Sequence, residues 1–174
     1  MRYLTISCSL NPNSRSRILA QQAHQRLQTT ESEAKWLDLT EIELPLCDGT
    51  ACYQVPAVQQ VSRMIAEAQG ILVAVPIYNF DVNAAAKNLV ELTGAGWEDK
   101  VVGFLCAAGA MNSYMSVMSF ANSLMFDFRS VIVPRFVYAD KSAFTDDTLT
   151  DPKIIHRVNE LADTLVRFTT ALKQ

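Results

Sequence analysis

Apolar residues follow two different periods along this chain. In some short segments they are continuous or alternate with polar residues, which is typical of strands. These segments are residues 3–9, 33–39, 70–76, 100–108 and 130–139. In longer segments apolar residues recur at every third or fourth position, which is typical of amphipathic helices. These segments are residues 15–28, 57–69, 83–94, 113–128 and 151–173. Residues 40–56 carry two prolines and an Asp-Gly pair, which predict a long loop.

The order of these segments predicts the fold class. Strands and helices alternate strictly, and the strands are apolar enough to be buried on both faces, so we expect an α/β fold with a parallel sheet covered by helices on both sides. The 174 residues suffice for one domain, 1–174. Five strands predict the order 2-1-3-4-5, in which ligands bind beyond the carboxyl ends of strands 1 and 3.

Composition excludes several classes of function. The net charge is −3, with acidic and basic residues mixed and no basic stripe, so nucleic acid is not an expected partner. The sequence contains no run of 18 apolar residues, so it predicts no membrane span. The start, "MRYLTISCSL", lacks the longer apolar region of a signal peptide. We interpret it as the first strand and expect a cytoplasmic protein.

The cysteines predict no metal site. They are Cys8, Cys47, Cys52 and Cys106, without a C-x-x-C pair, and the two histidines are far apart in the sequence. Cys8 and Cys106 lie in strand segments and are expected in the core, whereas Cys47 and Cys52 lie in the loop and are open to reaction.

The loop after the first strand predicts a phosphate site. "SLNPNSRSR" (9–17) leads directly into a helix and carries three serines, two asparagines and two arginines. Hydroxyl groups and free N–H groups at a helix N-terminus bind phosphate. The candidates are Ser9, Asn11, Ser14, Arg15 and Ser16. The alternative is that Ser14 or Ser16 only caps the helix. Neither a Walker loop nor G-x-G-x-x-G is present.

Two further loops predict a planar ligand. The third strand ends in "PIYNF", and Pro76, Ile77, Tyr78, Asn79 and Phe80 are candidates to line a ring, with main-chain amides and the Asn79 side chain for its polar edge. The alternative is a tyrosine packed on a neighbouring helix.

After the fourth strand, "CAAGAMNS" provides Ala108 and Gly109, where the backbone is able to approach a ligand closely. A simple strand-to-helix turn explains this loop nearly as well. A phosphorylated planar heterocycle fits the three loops together, and FMN matches that outline.

Two motifs at these positions resemble the NADPH-dependent FMN reductase family and the wider flavodoxin-like quinone and azo-dye reductases. Members carry G-S-L-R-x-x-S-x-[NS]-R after the first strand, and this chain has "CSLNPNSRSR" at 8–17. They carry P-x-Y-N-x-x-[IV]-P-x-x-L-K after the third strand, and this chain has "PIYNFDVNAAAK" at 76–87. Asn11, Asn83 and Ala86 stand where the family usually has Arg, Pro and Leu. Arg15 and Arg17 are candidates to supply the missing charge.

The resemblance implies a flavodoxin-like three-layer sandwich that binds FMN. Ser9, Ser14, Arg15 and Ser16 would then hold the phosphate, Pro76 to Asn79 would line the isoalloxazine, and Ala108 and Gly109 would approach its far edge. NADPH would deliver hydride to FMN, and electrons would pass on to free flavin, a quinone or an azo compound. Such a flavoenzyme needs no acid–base residue, and His24 and His156 fall on predicted helices.

The resemblance also implies a homodimer or homotetramer. The 40–56 loop and the Met- and Phe-rich helix 113–128 are candidates for the contact, although their apolar residues are equally compatible with core positions.

Three other functions are alternatives for this sequence. A flavodoxin-type electron carrier would have a T/S-x-T-G-x-T loop and a strongly acidic surface, and this chain has neither. A receiver domain would need an acidic pair after the first strand, where Ser7, Cys8 and Ser9 stand. The third alternative is an interaction module that has lost flavin, because Asn11 replaces the arginine that the family usually has in its phosphate loop.

Overall fold

The structure is a computed structural model that describes residues 1–30 and 33–172. A central sheet contains seven strand segments. They are β1 (Arg2–Ser7), β2 (Glu33–Asp38), β3 (Gly70–Tyr78), β4 (Asp81–Val82), β5 (Val101–Ala107), β6 (Val131–Ile132) and β7 (Val137–Ala139). The order across the sheet is β2-β1-β3-β5, with β6 and β7 both beside β5. All of these pairs are parallel, and β4 alone pairs antiparallel, with β3.

The predicted α/β class and the reversal of strand order between β1 and β3 are confirmed, whereas the count of five strands was wrong. The predicted fifth strand is divided into β6 and β7. Pro134 lies between them and has no N–H to donate, and Arg135 adopts a positive φ of 61°. The second difference is that β3 continues to Tyr78 and turns back into β4.

Five α-helices within residues 1–30 and 33–172 cover the sheet. They are α1 (Arg15–Gln28), α2 (Pro56–Glu67), α3 (Ala84–Thr93), α4 (Met118–Phe128) and α5 (Pro152–Ala171). Helices α1 and α5 pack on one face with Leu72 and Ala74 of β3. Helices α2, α3 and α4 pack on the other face with Ile71 and Val73. Because successive β3 residues point to opposite faces, the continuous apolar run fills both cores of a three-layer sandwich.

Two segments differ from their predicted boundaries. The predicted helix 113–128 begins as α4 only at Met118, because residues 111–113 form a separate 3-10 turn. The hydroxyl of Tyr138 donates to the carbonyl of Ala110 over 2.6 Å and lies 2.5 Å from the Ser113 hydroxyl, which holds that turn on β7. The 40–56 loop is irregular except for a 3-10 turn at 51–54 and Pro56, which begins α2.

A small antiparallel hairpin precedes the last helix. Its strands are β8 (Phe144–Thr145) and β9 (Thr148–Leu149). Helix α5 follows it, and residue 173, the predicted end of this helix, lies outside the described residues. No helix in the described part of the chain has the length and apolar content that a membrane crossing requires.

Candidate functional site

The loops after β1, β3 and β5 open at one edge of the sheet. These strands are parallel neighbours, with Ser7 of β1 beside Ala74 of β3 and Pro76 of β3 beside Ala107 of β5. A cleft of about 770 Å³ lies at that edge. This volume is within the range of about 300–1,000 Å³ that is common for small-molecule sites.

The cleft brings together most of the residues that the sequence predicts for a ligand site. Ten of those twelve residues line it, and Ser9 and Phe80 do not. Asn13, Ala107 and Asp147 also line it and were missed by the sequence reasoning. The serine-bearing turn and the tyrosine-asparagine turn therefore share one cleft.

The N-terminus of α1 presents two hydroxyl groups to this cleft. Ser14 occupies the N-cap position, but its side chain makes no capping hydrogen bond. Its Oγ instead lies 2.8 Å from the Oγ of Ser16, and both residues are buried. The first turn of this helix contains no acidic residue. The pair of hydroxyl groups and the positive end of the helix dipole together favour an anion.

Ser9 shapes the loop from inside. It is 1% exposed, and its Oγ accepts the main-chain N–H of Asn11 over 3.2 Å. The Asn11 Oδ1 in turn accepts the N–H of Asn13 over 3.0 Å. These two local bonds hold the turn that carries Asn11 and Asn13 to the wall of the cleft.

The two arginines of this loop have different surroundings. Arg17 is paired with Asp38 of β2, with Nε 2.6 Å from Oδ2 and Nη2 2.9 Å from Oδ1. It also donates to the Pro12 carbonyl and to the Thr40 hydroxyl. Arg15 is exposed and lines the cleft. Of the two candidates for the missing family arginine, only Arg15 is therefore directed to the cleft.

Asp38 is held as a carboxylate by this pairing. Burial opposes its ionisation, but the hydrogen bonds from Arg17 and Thr40 and the charge of Arg17 outweigh that effect and lower its pKa. The Arg17 side chain is largely buried, and a buried guanidinium needs partners for its charge. Arg17 is therefore paired with Asp38 of β2 and is not free to bind a ligand.

The turn after β3 is a two-residue hairpin. Tyr78 pairs with Asp81, and the two residues between them have positive φ values, 51° for Asn79 and 63° for Phe80. Asparagine adopts this backbone readily, whereas phenylalanine is rarely found there. The turn places Tyr78, 53% exposed, on the cleft. Phe80 lines a different depression with residues 112–116.

A buried asparagine joins the two loops. Asn83 is 7% exposed, and its Nδ2 donates to the main-chain carbonyl of Cys8 over 2.7 Å. It lies at the N-cap of α3 without capping that helix. The position of Asn83 directly before a predicted helix is a sequence signal for a hydrogen bond of its side chain. The sequence does not show that the partner is the distant Cys8.

The end of β5 forms a low wall of the cleft. The N–H of Ala108 donates to the Ala139 carbonyl over 2.9 Å, which extends the pairing of β5 with β7. The space next to the Cα of Gly109 is open, because a Cβ there would meet no heavy atom within 4 Å. The small residues leave room for a ligand to approach the backbone.

The β8–β9 hairpin contributes an acidic group that the sequence reasoning missed. Asp146 has a positive φ of 49° at the turn, and Asp147 beside it lines the cleft. The guanidinium of Arg15 lies 5.9 Å from the centre of the Phe144 ring, so the hairpin packs near the start of α1. The signal in the sequence was the Asp-Asp pair between two short β-prone segments.

Neither histidine lines the cleft. His24 packs edge-on against Trp36 with ring centres 5.4 Å apart, and burial lowers its pKa. His156 is exposed on α5. Over residues 1–30 and 33–172, no three His, Cys, Asp or Glu side chains are grouped as metal ligands.

Comparison by sequence places this arrangement among flavin reductases. A family model described as NADPH-dependent FMN reductase matches residues 1–144. An NAD(P)H-dependent FAD/FMN reductase of Geobacillus thermodenitrificans (strain NG80-2) is 28% identical over 147 residues, which cover 82% of this chain and 79% of that protein.

Comparison by structure confirms the flavodoxin-like fold. The flavoenzyme NAD(P)H:(acceptor) oxidoreductase FerB from Paracoccus denitrificans has a TM-score of 0.78 at 17% identity, with coverage of 98% of this chain and 97% of that chain. An FMN-dependent NADH-azoreductase from Bacillus anthracis str. Ames Ancestor, solved in complex with FMN, has a TM-score of 0.69 at 14% identity, with coverage of 95% and 99%.

Proposed function

The chain belongs to the NADPH-dependent FMN reductase family, and on that premise we propose that the cleft beyond β1, β3 and β5 is its FMN site. The protein is an enzyme, an NAD(P)H-dependent flavin oxidoreductase that uses FMN. One observation carries the proposed site, which is that the α1 N-terminus and the Tyr78–Asn79 turn line the same cleft.

The phosphate end of FMN fits the α1 N-terminus. Ser14 and Ser16 offer hydroxyl groups that do not cap the helix, and the helix dipole favours negative charge there. Arg15 supplies a cation on the same wall. Ser9 supports the loop from behind through its bond to Asn11.

The ring end fits the second and third loops. Pro76, Ile77 and Tyr78 line the cleft with apolar and aromatic surface, and Asn79 adds an amide. The space beside the Cα of Gly109 is open, so the backbone there is accessible to the polar edge of a ring, and the small Ala108 next to it lines the cleft as well.

The chemistry that bound FMN would supply is uptake of hydride from NADPH and transfer of the electrons to a second acceptor. The residues of the chain bind and orient it: the α1 N-terminus fixes one end, and the β3 turn fixes the plane of the other. The ionisable side chains on the described cleft wall are Arg15, Tyr78 and Asp147. We assign none of them an acid–base role, because hydride transfer requires only alignment of the two rings.

We propose a small molecule as the electron acceptor, either free flavin, a quinone or an azo compound. The names of the similar structures support this range, since they include an NAD(P)H:(acceptor) oxidoreductase and an azoreductase. The exposed Tyr78 ring supports it as well, because it leaves the cleft open to a planar second substrate.

We also propose a homodimer or homotetramer in the cytoplasm. Phe120 and Leu124 of α4 are core residues, but Met115 and Phe126 are 61% and 85% exposed, and Leu46 of the 40–56 loop is 82% exposed. Exposed apolar side chains of this size support a contact between subunits. Size-exclusion chromatography with light scattering, over a tenfold range of protein concentration, measures the molar mass and so tests the oligomeric state.

The visible spectrum of the purified protein tests the function. We expect flavin absorption bands after reconstitution with FMN, and loss of these bands when NADPH is added without oxygen. FMN binding without reduction by NADPH or NADH would favour an electron carrier. A protein that takes up no FMN would favour the flavin-less interaction module and overturn the proposed site.

A further inference from the structure

Two cysteines of the 40–56 loop lie side by side. The Sγ atoms of Cys47 and Cys52 are 4.0 Å apart, and both thiols are free. Cys47 is partly exposed, whereas Cys52 is 3% exposed and packs with Val58 of α2 and Leu92 of α3. This pair is separate from the residues that line the proposed FMN cleft.

The turn between the cysteines is built to bring them together. The Oδ1 of Asp48 accepts the N–H of Thr50 over 2.8 Å and the N–H of Cys52 over 3.1 Å. Gly49 has a positive φ of 70°, and a Cβ there would meet no heavy atom within 4 Å, so backbone conformation rather than packing favours glycine. The chain therefore folds back at Asp48.

The turn is also anchored to α3. The N–H of Cys47 donates to the Oδ1 of Asn88 over 2.9 Å, and the Nδ2 of Asn88 donates to the carbonyl of Pro45 over 2.9 Å. Cys47 is thus held from the helix side and Cys52 from within the turn. The folded chain therefore already holds the two sulfur atoms close to each other.

The surroundings give the two thiols different roles. The hydroxyl of Tyr53 lies 3.6 Å from the Sγ of Cys47 and is able to donate to a thiolate there. Burial raises the pKa of the Cys52 thiol, and its hydrogen bond with Asp48 raises it further. Cys47 is therefore the more accessible of the two thiols, and Cys52 is the more protected one.

We propose that Cys47 and Cys52 form a redox-reactive dithiol that a peroxide converts into an intramolecular disulfide. The Cys47 thiolate attacks the O–O bond of hydrogen peroxide, which gives a sulfenic acid and, after protonation, one water molecule. The Cys52 thiol then gives up its proton as its sulfur attacks the Cys47 sulfur, and the displaced hydroxide takes up a proton to become a second water molecule. Two thiols lose two electrons in total, and one peroxide gains them.

The bond requires a short movement. The sulfur atoms must approach from 4.0 Å to about 2 Å, which side-chain rotation and a small shift of the exposed turn allow. The oxidised form closes a short loop and restricts the unfolded chain, so its unfolding temperature rises by about a few degrees. A dithiol reductant restores both thiols.

Mass spectrometry of the whole, reconstituted protein tests the proposal. Native protein is treated with hydrogen peroxide and then with iodoacetamide. We expect the untreated protein to be alkylated at Cys47, and the treated protein to lose about 2 Da and this alkylation. Peptide mapping should link Cys47 to Cys52, and dithiothreitol should reverse the change. Cys8 and Cys106 are 0% exposed and serve as internal controls that remain thiols.

Matched variants separate the two roles. Cys52→Ser should leave a sulfenic acid at Cys47 that dimedone traps. In Cys47→Ser, Cys52 should form neither a sulfenic acid nor a disulfide. The double variant should show no rise in unfolding temperature on oxidation. Addition of oxygen atoms at Cys47 without the loss of 2 Da, or disulfides only between chains, would overturn the proposal. Cys47 that remains fully alkylated after peroxide would overturn it as well.

Discussion

The side-chain amide of Asn83 donates a hydrogen bond to the main-chain carbonyl of Cys8 over 2.7 Å, across 75 residues of sequence. Cys8 begins the loop that leads from β1 to the α1 N-terminus, and Asn83 follows the Tyr78–Asn79 turn. This buried bond therefore links the segments that carry the proposed phosphate and ring ends of the FMN site, in addition to the pairing of β1 with β3. The two ends of the cofactor must be bound at once, so the spacing of these loops matters for affinity.

Asn83→Asp removes the donor and keeps the shape of the side chain. We expect it to lower the free energy of unfolding by about 1–3 kcal/mol, because the buried Cys8 carbonyl loses its partner and a carboxylate oxygen faces it. Urea denaturation measures the loss, and FMN titration should show weaker binding. Asn122→Asp, on the exposed side of α4, is the matched control and should change neither quantity.

Ser14→Ala combined with Ser16→Ala tests the phosphate end. We expect FMN binding to weaken by about 1–3 kcal/mol, because hydrogen bonds to a charged group are lost. Quenching of flavin fluorescence gives the dissociation constants for FMN and for riboflavin, which lacks the phosphate. Riboflavin affinity should change little, and so should FMN affinity in Ser123→Ala, whose hydroxyl bonds to its own helix. An equal loss for both flavins would contradict the phosphate assignment.

Asp147→Asn tests the acidic group that the β8–β9 hairpin adds to the cleft. Removal of one negative charge should strengthen FMN binding by about 0.5–1 kcal/mol, with less effect on riboflavin and a smaller gain at high salt. The same titrations at low and high ionic strength measure it. Asp146→Asn, at the neighbouring position that does not line the cleft, is the control. Stronger binding in both variants would indicate only a general change of charge.

The Arg17–Asp38 pair should make stability depend on pH. The pKa of Asp38 is lower in the folded chain than its ordinary value of 3.8, so its contribution is fully present above pH 3.8 and is lost as the pH falls through the folded pKa. Denaturation at a series of pH values from 7 downward should show this loss in the wild type. Asp38→Asn should cost about 3–5 kcal/mol at pH 7, because it leaves the Arg17 guanidinium without its buried partner, and it should flatten the acid limb. An acid limb equally steep in the variant would refute this assignment.

Phe80→Asn should stabilise the hairpin after β3. Phe80 adopts a φ of 63°, which asparagine tolerates at lower cost, so we expect a gain of about 1 kcal/mol in the free energy of unfolding. Thermal denaturation measures it. Phe126→Asn removes an exposed ring from a helical position, where φ is negative, and should give no gain. A loss of stability at Phe80 would mean that its ring makes contacts worth more than the strain.

Much of the fold was readable from the sequence because it depends on local periodicity. The apolar run at β3 predicted a strand buried on both faces, and the helical spacing before and after it predicted the layers. The division of the last strand does not follow from its apolar pattern, and Pro134 is its one sequence signal. The pattern around Tyr78 did not predict a hairpin, because positive φ at Phe80 goes against the preference of phenylalanine.

The sequence also predicted the edge of the sheet at which we propose the ligand site, because parallel strands joined in this order bring their carboxyl ends together there. Only the tertiary structure decided how single side chains are used there. It paired Arg17 with Asp38 and left Arg15 on the cleft, buried Ser9 behind its loop, and added Asp147 from a hairpin far along the chain. It likewise brought the sulfur atoms of Cys47 and Cys52 within 4.0 Å. The physical reason is that hydrogen bonds and ion pairs act over a few ångströms, and the distances between segments remote in sequence exist only once the chain has packed.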